Sequence, residues 1–430
     1  MQDPIILRRD DILSPVEAQY WKDLLYRASK IGTEIEVATP SGVRRPVFED
    51  AIRSALEPSG SFERLGPNGV LDVQTEHCGI EIRVIGRHPS FRALQKQYNQ
   101  IMQVITLNGG RVKSTCGLHF HLLTPGLAEP VPEIIMANLW NLVRRYAPEL
   151  KYLTSTGDKR EALCRRRNHN SHLEMVRHSP ATMTMKDIYE QLKKSKIVPE
   201  HQNFFNIQHL GFVESGSILP LHLEYRFPDA TLSASAVTAF SFLFLALLLK
   251  AVNLSQFGVI HVGKIKQWRR KQEILNLLSN NDGDLATSDT SGVSDEVVSE
   301  LRNGANELLE LLQSLFQRFN HNQAFEVLQA LADQPISLMR CAGYDWPTIE
   351  QRLHQKVKLM DFDFEKVERR LMLGIELCEW TKQLSQQHWE SHVAKELLLS
   401  PGDIEKRIKK IQEFRELRWD NQKGTMTFTS

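Results

Sequence analysis

Hydrophobic and polar residues alternate in four short segments of the first part of the chain. Side chains that alternate in this way point to opposite faces of a β-strand. Each segment would have one apolar face, which can pack against helices, and one polar face. We therefore predict an antiparallel or mixed sheet with helices on one face. The segments are 31–37, 79–85, 111–123 and 221–227, and residues 204–213 also have strand-like character.

Helical periodicity surrounds these strands. Ser14-Pro15-Val16-Glu17 has the pattern of a capping box with proline at the first helical position, so a helix should begin there. The run 234–249 is almost entirely apolar or small, but at this length it is shorter than a membrane span usually needs. We interpret it as a buried helix packed on the sheet. Further helices are predicted at 48–56, 90–108 and 132–153.

The character of the chain changes after the apolar run. Residues 279–296 are polar, small and acidic, which is typical of a flexible linker. We predict a catalytic domain with an N-terminal helix at 1–278 and an all-helical region at 297–430. That region can serve as a scaffold, or it can recognise a partner protein or a peptide or protein substrate. Its predicted helices are 297–319, 322–333, 347–358, 363–396 and 402–417.

The overall composition excludes several classes of protein. The 430 residues carry a formal net charge of +1, so no global field draws the chain to nucleic acid or to an anionic membrane. We expect neither as a partner, and an oligomer stays open. The five cysteines are scattered and lack CxxC spacing, which argues against a disulfide scaffold or a cysteine zinc site. With an N-terminus that lacks the apolar run of a signal peptide, this favours a cytoplasmic location.

The polar faces of the four strands carry an unusual set of side chains. For any single strand, an ordinary solvated face is the better interpretation. Taken together, the strands bring several carboxylates to one surface, where they would repel each other unless a cation neutralised them. Mg²⁺ prefers oxygen ligands, Mn²⁺ also accepts imidazole, and arginine suits phosphate. The residues are Glu34, Glu36, Glu81, Arg83, His119, His121, His222, Glu224 and Arg226.

The motifs GTEIEV, GIEIRV, CGLHFHL and LEYRFPD occur in this order over roughly residues 31–253. They resemble those of carboxylate–amine ligases of the glutamine synthetase type. More narrowly, the chain is similar to the amidoligase family, a relative of glutamine synthetase and gamma-glutamylcysteine synthetase. This resemblance implies a glutamine-synthetase-like sheet and an ATP-dependent ligase that joins a carboxylate to an amine through an acyl phosphate. The carboxylate would belong to an amino acid, a peptide or a protein.

The resemblance also implies roles for individual residues. Arg226 would stabilise the transferring phosphoryl group, and Glu81 and Arg83 complete the predicted catalytic set. Mg²⁺ or Mn²⁺ would be bound by Glu34, Glu36, Glu81, His119 and Glu224, with His121 as a further candidate. Arginines that precede the LEYRFPD motif would help to bind ATP, although a solvated basic loop explains them equally well. The candidates for this role are Arg165, Arg166 and Arg167.

Three other functions stay open at this stage. A guanidino-kinase-like phosphotransferase would share the broader fold, but its metal site would contain fewer carboxylates. A zinc hydrolase could use the His119-Phe120-His121 element, but the sequence downstream offers no matching ligand set. A non-catalytic module that binds nucleotide or metal would not need the complete set of charged residues.

Overall fold

The computed structural model describes residues 12–56, 70–87, 91–113, 116–156, 185–186, 189–190, 205–207, 209–213, 217–257, 260–261, 295–358, 417–420 and 425–428. Over these residues the protein has a mixed α+β fold, in which an antiparallel sheet packs against several helices.

The main sheet has six strands in the order β2-β3-β1-β4-β6-β5, and each neighbouring pair is antiparallel. Its two-residue strand β5 is much shorter than the predicted segment 204–213, and the sequence analysis missed β2. The strands are β1 (Lys30–Ala38), β2 (Val70–Thr75), β3 (Gly79–Arg87), β4 (Leu118–Leu123), β5 (Phe205–Asn206) and β6 (His222–Tyr225).

The helices of the first part of the chain follow the predicted periodicity with one difference. The capping box is confirmed, since Ser14 Oγ accepts from Glu17 N at 3.3 Å and Ser14 N donates to Glu17 Oε2 at 2.7 Å. The predicted helix 132–153 divides at Tyr146 because Pro148 has no N–H and cannot continue the preceding helix. The helices are Pro15–Ala28, Arg45–Leu56, Phe91–Leu107, Glu133–Arg145 and Ala147–Thr154.

The apolar run forms a helix, Ala234–Leu254, which we call the central helix. By length and composition it could cross a membrane, but all of its residues are buried within the protein. Phe244 stacks on Tyr225 of β6 with ring centroids 4.2 Å apart, and it approaches Phe120 of β4 at 5.0 Å. A helix that is apolar on all sides is expected where other elements surround it. The prediction of a buried helix packed on the sheet is therefore confirmed.

Four further helices follow, at Asp295–Arg318, Asn322–Asp333, Ile336–Cys341 and Trp346–Lys358. Their apolar residues join the hydrophobic core that contains the sheet and the central helix. The domain boundaries proposed from the sequence stay predictions. Residues 279–294 and the predicted helix 363–396 lie outside the described residues.

The prediction of an all-helical C-terminal region is wrong at its end. Strands β8 (Leu417–Asp420) and β9 (Thr425–Phe428) pair antiparallel, and β9 also pairs with β7 (Ile260–His261). The alternation of threonine with Met426 and Phe428 is a strand signal that the sequence analysis overlooked.

Candidate metal centre and active site

The register of the sheet brings the charged side chains of separate strands to one place. In β1, Glu34 lies opposite Arg83 of β3 on one side and His119 of β4 on the other. Glu36 lies opposite Glu81 of β3. Because side chains two residues apart share a face, all five residues occupy the same face of the sheet.

The next strands extend this polar face. His121 of β4 lies opposite Glu224 of β6, which in turn lies opposite Asn206 of β5. The other face of the same strands carries Phe120 and Tyr225, which contact the central helix as described above. The sheet therefore separates the hydrophobic core from a surface lined with carboxylates and imidazoles.

His119 lies at the centre of the cluster and is almost fully buried. Its Nδ1 is 3.0 Å from Glu34 Oε2 and 3.8 Å from Glu224 Oε1, and its Nε2 is 3.5 Å from Glu36 Oε1. In two overlapping groups the potential ligand atoms lie within 4.8 Å of one another, namely Glu34, His119 and Glu224, and Glu36, Glu81 and His119. Carboxylates with one imidazole suit Mg²⁺ or Mn²⁺.

The orientation of His121 also fits a bound cation. Its Nε2 is buried and makes no hydrogen bond to any residue that the structure describes, although it lies 3.3 Å from Glu34 Oε1 and 4.0 Å from Glu224 Oε1. A buried polar nitrogen that faces two carboxylates without a hydrogen bond is costly unless something else binds it. A divalent cation between these three atoms would satisfy all of them.

Neighbouring polar groups hold the carboxylates in place. Gly117 N donates to Glu36 Oε2 at 2.6 Å, Asn206 Nδ2 donates to Glu224 Oε2 at 2.8 Å, and Gln74 Nε2 donates to Glu81 Oε1 at 3.0 Å. Gln74 is not among the predicted site residues because β2 was not predicted, although Val73-Gln74-Thr75 continues an alternating pattern. Hydrogen bonds from neighbouring groups that do not bind the metal themselves orient the side chains that do.

The carboxylates titrate differently because their surroundings differ. Burial acts to raise the pKa of Glu34, but the neighbouring imidazoles of His119 and His121 outweigh it and hold that pKa well below its usual range. At Glu81, burial and the negative charge of Glu34 raise the pKa to about 7, against the opposing effect of Arg83. Ionisation of Glu81 beside Glu34 is therefore unfavourable, and a cation bound between them would offset this cost.

Two arginines lie at opposite sides of the cluster. Arg83 contacts Glu81 and places its Nε 3.5 Å from Glu34 Oε1. Arg226 follows β6 and contacts Glu224. The Arg83 side chain is 43% exposed and the Arg226 side chain is 18% exposed, so both guanidinium groups can be reached from the polar face.

The structure thus brings together eight of the predicted site residues, and their roles stay predictions. The three arginines predicted to bind ATP lie outside the described residues. The eight are Glu34, Glu36, Glu81, Arg83, His119, His121, Glu224 and Arg226.

The solved structures that are similar to this chain include two with low TM-scores and low identity. One is a complex between the prokaryotic ubiquitin-like protein Pup and its ligase PafA, with a TM-score of 0.35 and 10% identity over 85% of this chain and 72% of the other. The second is a bifunctional glutathione synthetase from Pasteurella multocida, with a TM-score of 0.34 and 12% identity over 85% of this chain and 57% of the other. No family model and no curated protein matches the chain.

Proposed function

We propose that the protein is an ATP-dependent carboxylate–amine ligase that forms an amide bond through an acyl phosphate. The observation that carries this proposal is the polar face of the sheet. Four glutamates and two histidines converge there around His119, and one arginine lies on each side. This arrangement suits two divalent cations and a polyphosphate better than it suits an ordinary solvated surface.

The order of the motifs supports the same function. Each strand of the cluster comes from one of the four segments that resemble the amidoligase family. The proposal therefore includes a glutamine-synthetase-like arrangement of the sheet. Its substrates are ATP, the carboxylate of an amino acid, peptide or protein, and an amine.

The chemistry requires charge neutralisation and positioning. Amide formation from a carboxylate is unfavourable in water, and phosphorylation by ATP converts the carboxylate into a reactive acyl phosphate. Divalent cations bound by the glutamates and His119 would neutralise the phosphate charge. Arg226 would bind the γ-phosphoryl group as it leaves ADP, with two N–H groups facing two of its oxygens.

On the other side of the cluster, Glu81 and Arg83 would face the amine. Glu81 is also a predicted cation ligand, and a bound cation would keep its carboxylate ionised beside an uncharged, nucleophilic amine. Attack of the amine on the acyl phosphate releases a proton, phosphate and the amide. We assign Glu81 to the cation on the amine side, with Arg83 holding its carboxylate by the contact described above, and the departing phosphate takes the proton.

The experiment that tests this function is ATP turnover against a pooled set of amino acids and amines with Mg²⁺ or Mn²⁺. Wild-type protein should release ADP only when an amine is present, and mass spectrometry of the pool should detect a new amide. Glu34→Gln and Arg226→Gln should abolish both. Glu49→Gln is a matched control, because Glu49 pairs with Arg53 at 3.0 Å on the helix Arg45–Leu56, outside the cluster.

Two other outcomes would contradict the proposal. ADP release that depends on a guanidino compound, together with a phosphorylated product, would establish a kinase. If the pool and a set of peptides and proteins gave no turnover while calorimetry detected nucleotide and metal binding, the protein would be a binding module.

A further inference from the structure

Two histidines outside the proposed ligand set extend from His121 toward the protein surface. His222, in β6, places its Nε2 3.0 Å from His121 Nδ1. His209 stacks on His222, with ring centroids 4.6 Å apart and planes 21° from parallel. His209 is exposed and His222 is half-buried, so the three rings form a row from the solvent to the candidate metal centre.

The register of the sheet explains this row. His222 lies opposite Leu123 and Glu224 lies opposite His121, so His222 is the diagonal neighbour of His121 on the polar face. Side chains of such a diagonal pair are close enough for long or aromatic groups to touch. The imidazole of His222 therefore meets the edge of His121 that points away from Glu34.

The contact between these rings has a chemical consequence. A neutral imidazole has one nitrogen that donates a hydrogen bond and one that accepts. If His121 Nδ1 donates to His222 Nε2, then His121 Nε2 has a free lone pair facing Glu34 and Glu224. If His222 Nε2 donates instead, His121 Nε2 carries a hydrogen atom and cannot bind a cation.

We propose that His222 is a positioning residue that accepts the Nδ1–H of His121 and thereby fixes the tautomer in which His121 Nε2 binds a divalent cation. Histidines that bind metals commonly donate their second N–H to a carboxylate, a carbonyl or water. Here the acceptor is a second imidazole, held in orientation by the ring of His209. The inference rests on the metal centre of the proposed function.

The first test is Mn²⁺ affinity, measured by calorimetry without ATP or amine. His222→Leu removes the acceptor at similar size, and we expect the affinity to fall about tenfold or more. In His222→Gln the side-chain carbonyl can reach the same nitrogen, so affinity should stay within about threefold of wild type. His354→Gln is the control, since His354 contacts Gln95 at 3.2 Å away from the polar face. Equal affinity of wild type and His222→Leu would overturn the proposal.

The second test measures wild-type protein and uses a variant only to assign the signals. Long-range proton–nitrogen NMR of histidine-labelled wild type with Zn²⁺ should find the His121 proton on Nδ1 and the metal on Nε2, with assignment by His121→Gln. A proton on Nε2 would refute the role of His222. If wild-type protein bound Mn²⁺ as expected but formed no amide, only the ligase function would be contradicted. The role of His222 in metal binding and the ligase function can therefore fail separately.

Discussion

Replacing Glu81 with glutamine should stabilise the metal-free protein while weakening the metal centre. Burial and the charge of Glu34 raise the pKa of Glu81 to about 7 from an ordinary value of 4.5. Between about pH 4.5 and about pH 7 the folded protein therefore retains a proton on Glu81 that the unfolded chain releases. Stability should therefore fall as pH rises from about 4.5 to about 7 and then level off.

The magnitude follows from the same shift. The difference between the Glu81 pKa values in the unfolded and folded states corresponds to about 3 kcal/mol of unfolding free energy, and partial solvation lowers this to about 1–2 kcal/mol. Glutamine has nearly the same shape, carries no charge and keeps an acceptor oxygen for Arg83. Glu81→Gln should therefore gain about 1–2 kcal/mol over wild type at pH 8.5 and almost nothing at pH 4.5.

Urea unfolding in EDTA at both pH values is the assay, with Glu49→Gln as the control variant. Mn²⁺ should then stabilise wild type much more than Glu81→Gln, because the added cation binds the Glu81 carboxylate, whose ionisation destabilises the metal-free protein. A Glu81→Gln variant that is less stable than wild type by the same amount at both pH values would contradict this prediction.

Three further predictions concern elements that support the site. Lys151 donates to Asp229 Oδ1 at 2.7 Å and to the carbonyl of Phe227 at 2.8 Å, so Lys151→Met should lower the free energy of unfolding in urea by about 3–5 kcal/mol. The double variant Lys151→Met/Asp229→Asn should recover part of this loss, because it removes the unpaired buried carboxylate. Equal losses in the single and the double variant would contradict a charge effect. Glu350 accepts from Ser233 Oγ and Ser235 Oγ at 2.6 Å each, and Glu350→Gln should destabilise the start of the central helix by about 1–2 kcal/mol in the same assay; unchanged stability would contradict this. Phe244→Ala should cost about 3–5 kcal/mol through the cavity behind β4 and β6, and a normal thermal midpoint would show that neighbouring rings refill the space.

The polar face of the sheet could be predicted because the period of two residues fixes which side chains share a face. Glu34 with Glu36, and His119 with His121, follow from their own segments alone. The pairing of strands could not be read in this way. That His119 lies between Glu34 and Glu224 depends on β4 pairing with both β1 and β6.

The contacts that hold the carboxylates were harder to predict. Gln74 belongs to an edge strand whose alternation is short, and Asn206 belongs to a strand of two residues. Such short strands form because a neighbouring strand offers hydrogen bonds, and their own sequence gives little signal. The strand β9 was missed for a different reason, because the alternation of threonine with Met426 and Phe428 stands at the end of a region rich in helical patterns.

The most direct test of the central claim is transfer of oxygen from carboxylate to phosphate. A pool of amino acids and peptides carrying ¹⁸O in their carboxylates is incubated with the protein, ATP, Mg²⁺ and amines, and the released phosphate is analysed by mass spectrometry. The proposed function predicts one ¹⁸O atom in the phosphate for each amide formed, with none from Glu34→Gln. Phosphate without ¹⁸O, released while an amide accumulates, would contradict an acyl phosphate and with it the mechanism assigned to this site.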